Sequence, residues 1–217
     1  DILVGIPCYN NDDTIAHVVA MAGRGLATHY PRAKGVVIVS DGGSLDDTRE
    51  AAAAVEIPPS IERIVSIYRG LPGKGTAYRA IFEAAQALKV KALVTVDADL
   101  RSITGDWMSW LASPVLDKAV DLVAPLYARH RYDGTITNHI AYPLLRAMSG
   151  RRLRQPIGGD FGISPALLRH YLEQDVWTTD VARFGIDIWM TCEALGGGFN
   201  VGQAHLGAKI HNTKDPA

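Results

Sequence analysis

The sequence predicts an α/β protein: a mostly parallel sheet flanked by helices, in a single domain. Three observations point there. Short β-branched runs alternate with helically spaced apolar residues from the first strand onward, the pattern of right-handed βαβ crossovers. Polar or glycine-rich turns recur between each strand and its helix. Finally, Val94-Thr95-Val96-Asp97-Ala98-Asp99-Leu100 joins a buried-strand pattern to two carboxylates, at the strand end where open α/β sheets bind ligands.

In chain order, Ile2 to Ile6 reads as a strand that stops at Pro7. A helix with Ile15, Val18, Val19 and Ala22 on one face follows, with Asn11 or Asp12 as its N-cap. Val36 to Val39 is a second strand, Ser40-Asp41-Gly42-Gly43-Ser44 a glycine-rich turn, and Asp46 to Ala54 an alanine-rich helix. Beyond the breaker Pro58-Pro59, Ile64 to Ile67 forms a third strand. Pro72-Gly73-Lys74-Gly75 then opens a helix through Ala80, Ile81, Ala84, Ala85 and Leu88. Its glycines allow an anion close to the backbone, and Lys74 adds a point charge near the helix N-terminus. The spacing is not that of a P-loop, and a flexible turn is the alternative reading.

The strand Ala92 to Val96 delivers Asp97 and Asp99. Two carboxylates so close repel each other and lose hydration, so they suit a site neutralised by a divalent cation, and oxygen ligands favour magnesium or manganese. A helix N-cap by Asp99 is the alternative. Gly105 to Leu111 reads as a short helix with Trp107 and Trp110 packing, and Asp121 to Leu126 as another strand. The donor-rich stretch from Tyr127 to Asn138 suits an anionic or polyhydroxyl ligand, or is a solvated loop. A helix with Ile140, Leu144, Leu145 and Met148 ends at Ser149-Gly150, and the run Arg151 to Arg154 reads as a solvated face. Asp160 follows a diglycine, Ser164-Pro165 starts a helix, and Asp187 is the odd carboxylate of an apolar helix. A last strand near Phe199 to Gln203 precedes His205 and His211.

Composition bounds the function. With 217 residues, 47% of them hydrophobic, and a formal charge of −1, the chain fills one core, and its balance points to neither nucleic acid nor an anionic membrane. No apolar run reaches the roughly 20 residues of a transmembrane span. Cys8 and Cys192 read as two reduced thiols of a cytoplasmic protein.

Taken together, several segments resemble the GT-A glycosyltransferases. They are Ile6-Pro7-Cys8-Tyr9-Asn10, Ser40 to Ser44, Pro72 to Gly75, Asp97-Ala98-Asp99, Gln155-Pro156-Ile157-Gly158-Gly159-Asp160, Gly185-Ile186-Asp187 and Lys209-Ile210-His211. Within that group the chain is similar to the retaining enzymes that make glucosyl-3-phosphoglycerate, mannosyl-3-phosphoglycerate and mannosylglycerate, which are compatible solutes or their precursors. The resemblance implies a GT-A, Rossmann-like fold with a nucleotide-sugar half at 1–112 and an acceptor half at 113–217. It implies a nucleoside-diphosphate sugar donor held by Pro7, Tyr9, Asn10, Asp41, Lys74, Asp97, Ala98 and Gly159. A magnesium or manganese ion would sit on Asp99 and His211. Asp160, Asp187 and Lys74 take the catalytic positions, and a small hydroxy-acid acceptor faces Arg131, Gly134, Thr135, Thr137 and Asn138. A homodimer is implied too, although no stretch reads as an interface. One departure stands out: Gly134-Thr135-Ile136-Thr137 lacks the arginine of the glucosyl-phosphoglycerate synthases' acceptor motif, so an acceptor phosphate needs another cation, such as Arg129, His130 or Arg131. An inverting family-two-like transferase, a sugar-nucleotidyltransferase, although Ile6 to Asn10 lacks its longer glycine-rich phosphate loop, and a non-catalytic nucleotide-sugar binder are the competing readings.

Overall fold

The computed structural model describes residues 1–128 and 134–211. Its sheet has seven strands in the order β3-β2-β1-β4-β6-β5-β7. The centre is β1 (Ile2–Cys8), buried along its whole length and paired in parallel with β2 (Gly35–Asp41) and β4 (Ala92–Thr95). Alternate β1 side chains serve two cores, as a period of two requires. Ile2, Val4 and Ile6 pack under α1 (Ile15–His29) and α4 (Asp106–Leu116). Leu3 joins the opposite core beneath α3 (Lys74–Ala87), α6 (Pro165–Glu173) and α8 (Ile186–Gly196).

The strand runs through Pro7 rather than stopping there. Its ladder with β4 has already ended at Gly5–Thr95, so the missing proline N–H interrupts nothing on that side. Helix α1 starts at Ile15, not at Asn11 or Asp12. Asn11 instead offers its carbonyl to the N–H groups of Thr14 and Ile15. Likewise α2 (Thr48–Ala54) begins late because the Asp46 carboxylate captures the Thr48 N–H at 3.1 Å. The third strand, β3 (Ile61–Ile67), is longer than its apolar run, since one polar edge faces solvent.

Beyond β4 the topology changes. The three-residue β6 (Phe161–Ile163) is inserted antiparallel between β4 and β5 (Leu122–Ala128), and is too short to leave a periodic signal. Ser164 caps α6 as expected, its Oγ accepting the Leu167 N–H at 3.2 Å. A π-helical turn at Thr137–Ala141 leads into α5 (Tyr142–Ser149), which ends at left-handed Gly150, φ 70°. A short α7 (Asp180–Arg183) precedes α8.

The last strand, β7 (Val201–Ala208), runs five residues past its expected end and carries a bulge. Leu126 faces His205 while Tyr127 faces Gly207, so Leu206 is extra, and Gly207 takes φ 77°. Among the described residues no helix is long and apolar enough to cross a membrane.

Candidate active site

Strand order reverses between β1 and β4, the topological switch point of an open sheet. A cleft of about 670 Å³ opens there, walled by the segments that leave β1, β2 and β4, the start of α3, and side chains from α8 and the end of β7. Its floor is a charge network centred on Asp97. Lys74 Nζ donates to Asp97 Oδ1 at 2.7 Å and to Asp187 Oδ2 at 3.0 Å. Lys209 Nζ donates to Asp97 Oδ2 at 2.8 Å and to Asp160 Oδ2 at 3.2 Å. One carboxylate therefore sits between two ammonium groups.

The electrostatics follow from that sandwich. Burial opposes the charge of Asp97, but Lys209 and Lys74 outweigh it and hold its carboxyl far below the usual carboxylate range. Burial also works against Lys74, yet the fields of Asp187 and Asp97 raise it well above an ordinary lysine. Asp187 goes the other way: burial raises its carboxyl, Lys74 only partly offsets this, and Asp97 adds to the rise. Its second oxygen, Oδ1, is buried with no hydrogen-bond partner among the described residues. A carboxylate oxygen held this way is a ready acceptor for a ligand hydroxyl.

Glycines bring these groups together. A β-carbon at Gly159 would land on the Asp97 carboxylate, while the Gly159 carbonyl accepts from Tyr78 at 2.9 Å and Thr95 Oγ1 at 3.1 Å. The Gly73-Lys74-Gly75 turn is built rather than flexible. Gly73 takes φ 153° against the Arg183 backbone, and a β-carbon at Gly75 would sit 2.6 Å from Ala182 Cα. The Tyr68 hydroxyl donates to the Gly73 carbonyl and accepts its N–H, both at 3.1 Å. Lys74 is thereby aimed into the cleft.

Of the residues expected at the donor and catalytic positions, Pro7, Tyr9, Lys74, Asp97, Ala98, Gly159 and Asp187 line the cleft, as does the cation candidate Asp99. Three do not, and the reason in each case is an internal bond. Asp160 is fully buried behind Asp97, accepting the Asp97 N–H at 2.9 Å and the Tyr127 hydroxyl, so it holds the Asp97 loop rather than facing a sugar. Asp41 is also buried, and its carboxylate shapes the glycine-rich turn by accepting the Gly43 and Ser44 N–H groups, each at 3.0 Å. Asn10, at φ 52°, turns to the Leu45 N–H instead, and Asn11 takes the cleft wall.

The candidate metal pair is brought together by a strap. His211 forms an isolated bridge with Leu100, next to cleft-lining Asp99. Around it the Arg101 N–H donates to the Ile210 carbonyl at 2.8 Å, and the Ile210 N–H to Ser102 Oγ at 2.9 Å. Among the described residues no three ligating side chains form a closed metal cage. Of the acceptor candidates, Arg131 lies outside the described residues, as do Arg129 and His130. Gly134, Thr135, Thr137 and Asn138 lie at the entry to the π-helical turn and do not line the cleft. Thr137 is buried there, and the Asn138 N–H donates to the Gly134 carbonyl at 2.8 Å. Lys209 and Tyr68 carry no role in the sequence reading. The motif Lys209-Ile210-His211 could have flagged the first; the second has no local signal.

Comparison with known proteins identifies the family and the fold. Residues 3–177 match the family model described as glycosyl transferase family 2. No curated protein sequence matches the chain. Among solved structures, glucosyl-3-phosphoglycerate synthase from Mycobacterium tuberculosis with phosphoglyceric acid is similar at 25% identity and TM-score 0.75, over 98% of this chain and 72% of that one. The same enzyme with Mn2+ and UDP-glucose gives 26% identity and TM-score 0.73, over 98% and 71%. A further structure, described as a mycobacterial protein, gives 27% identity and TM-score 0.74, over 98% and 68%.

Proposed function

Because the chain belongs to glycosyl transferase family 2, we propose that it moves glucose or mannose from a nucleoside-diphosphate sugar to 3-phosphoglycerate, glycerate or a similar small hydroxy acid, with retention at the anomeric carbon. The observation that carries the reading is Asp97 held between Lys74 and Lys209 beside an Asp187 oxygen with no hydrogen-bond partner among the described residues. The phosphoglyceric acid and UDP-glucose held by the mycobacterial relative support the donor and acceptor classes.

In this reading Pro7 and Tyr9 line the nucleotide, while Asn10 and Asp41 hold the turns around it. Asp99 and His211 would hold magnesium or manganese, as a carboxylate and an imidazole on a two-ligand strap leave room for diphosphate oxygens. When bound, such a cation supplies charge to neutralise the leaving diphosphate. Lys74 adds a fixed ammonium where that charge grows. Asp187 accepts a hydroxyl through Oδ1 and stabilises positive charge at the anomeric carbon. The bond from that carbon to phosphate oxygen breaks while the acceptor oxygen bonds on the same face, and the acceptor proton passes to the leaving diphosphate. Asp187 positions these groups rather than forming a covalent adduct. The donor half spans 1–112 and the acceptor half 113–217, with Asp187 and Lys209 reaching back across. Two free thiols agree with a cytoplasmic setting.

The family match also favours one rival, an inverting transfer that needs a carboxylate base. Asp160 is enclosed by Tyr127, Lys209 and the Asp97 N–H, so that role would fall to Asp187. Proton NMR of products decides, using magnesium or manganese, nucleoside-diphosphate glucose and mannose donors, and 3-phosphoglycerate or D-glycerate. An α-linked product from an α-linked donor is expected. A β-linked product overturns retention, and absence of donor turnover with every cation supports a binding protein instead.

A further inference from the structure

Away from the cleft, the segment 134–159, which includes α5, combines exposed apolar side chains with one sign of charge. Ile136, Ile140, Leu144 and Met148 form a row at four-residue spacing, and their exposures are 66%, 60%, 57% and 77%. The neighbouring row, Thr137, Ala141 and Leu145, turns inward, and Leu145 is the sole buried residue of α5. A four-residue spacing drifts around a regular α-helix, but the wider π-helical turn at Thr137–Ala141 drifts the opposite way and keeps the row straight. Exposed Pro143 and Ala147 widen the apolar face.

The charge is equally one-sided. From Gly134 to Gly159 the sequence holds four arginines, Arg146, Arg151, Arg152 and Arg154, and no aspartate or glutamate, in a chain whose formal charge is −1. All four are exposed. Arg154 stacks on the Tyr142 ring at 4.5 Å, which keeps the run after the helix beside α5. Arg151 and Arg152 edge a hollow of about 260 Å³ that also meets Gln203. The balanced net charge of the whole chain conceals this local excess.

We propose that this face docks on an anionic lipid bilayer. The apolar row enters the boundary between headgroups and acyl chains, and the arginines meet lipid phosphates. Charge selects this occupant. A second copy across a two-fold contact would oppose the same arginines with no carboxylate in the segment to answer them. An anionic bilayer answers both features. The proposal does not depend on the transferase reading.

Cosedimentation with phosphatidylcholine vesicles, with and without phosphatidylglycerol, tests it. Binding at least about tenfold tighter to the anionic vesicles is expected, weakening as salt screens the arginines. Leu144→Glu with Met148→Glu should abolish it, and Arg151→Glu with Arg152→Glu should weaken it about tenfold. Thermal unfolding should be unmoved in both variants, since each changes only exposed side chains. Equal binding to neutral vesicles, no binding to either, or undiminished binding by the folded Leu144→Glu, Met148→Glu variant would overturn the proposal. So would light scattering that shows a dimer dissolved by Leu144→Glu, which assigns the face to a second copy.

Discussion

Gly159 and Asp97 are so closely apposed that a β-carbon on the glycine would fall on the aspartate's carboxylate. Gly159→Ala therefore has to displace the one group that both lysines hold. Overpacking of this kind costs about 1–3 kcal/mol. A fall in turnover well beyond that in stability is expected, and paired urea melts and steady-state rates will show it.

Lys209 reaches Asp97 from just beyond the end of β7, a strand that carries a bulge at Leu206. Lys209→Met removes one of the two ammonium groups that hold the Asp97 carboxylate and leaves Asp160 with the Tyr127 hydroxyl and the Asp97 N–H. A loss of about 10²-fold in kcat is expected. Lys209→Arg should recover part of it, and a donor KM near the original would separate this from general damage to the cleft.

Tyr68→Phe keeps the ring and deletes both bonds to Gly73. The stability cost is about 1 kcal/mol. Donor KM should rise several-fold, because the turn that aims Lys74 loses its anchor, while kcat at saturation changes less. A donor titration of the variant checks both.

Chelation by EDTA should abolish turnover, and manganese should restore it. Asp99→Ala and His211→Ala should each raise the manganese needed for half-maximal rate by at least the ~10–100-fold that loss of an outer-shell partner costs. Manganese titration followed by electron paramagnetic resonance reads the same change without substrate.

Cys8 is buried, its thiol 3.6 Å from Asp41 Oδ1. Burial, followed by the charge of Asp41, pushes the thiol far above the ordinary cysteine range. The thiolate is thus the disfavoured form throughout neutral and mildly basic pH. Iodoacetamide at pH 8 should leave Cys8 unlabelled in the native protein and label it in urea, as mass spectrometry of peptides will reveal.

Local pattern carried most of the sheet. The β-branched runs of β1, β2 and β4 and the Asp97-Ala98-Asp99 turn were readable because each is contiguous and its burial repeats. Glycines at 73 and 75 pointed to close approach, although not to what approaches, whereas the tight contact of Gly159 with Asp97 left no local signal. Three things escaped. β6 has three residues, fewer than any period can declare. The enclosure of Asp160 and Asp41 depends on Tyr127, Ser44 and the Asp97 backbone, and a carboxylate beside a glycine looks the same whether it faces solvent or the core. Lys209 lies 112 residues from Asp97, a separation at which no local pattern signals contact.

That last separation ties the rim of the sheet to its centre. β7 is an edge strand with one neighbour, the kind of element that frays first in a native protein. Here its end is fastened to the loop after β4 by the Lys209–Asp97 ion pair, the Leu100–His211 bridge and the Arg101–Ile210 bond. Fraying at the rim therefore strips a counter-charge from Asp97 on the floor of the cleft. These contacts predict that the outermost strand and the central turn open together, so that a ligand bound in the cleft should slow amide exchange at the sheet's edge.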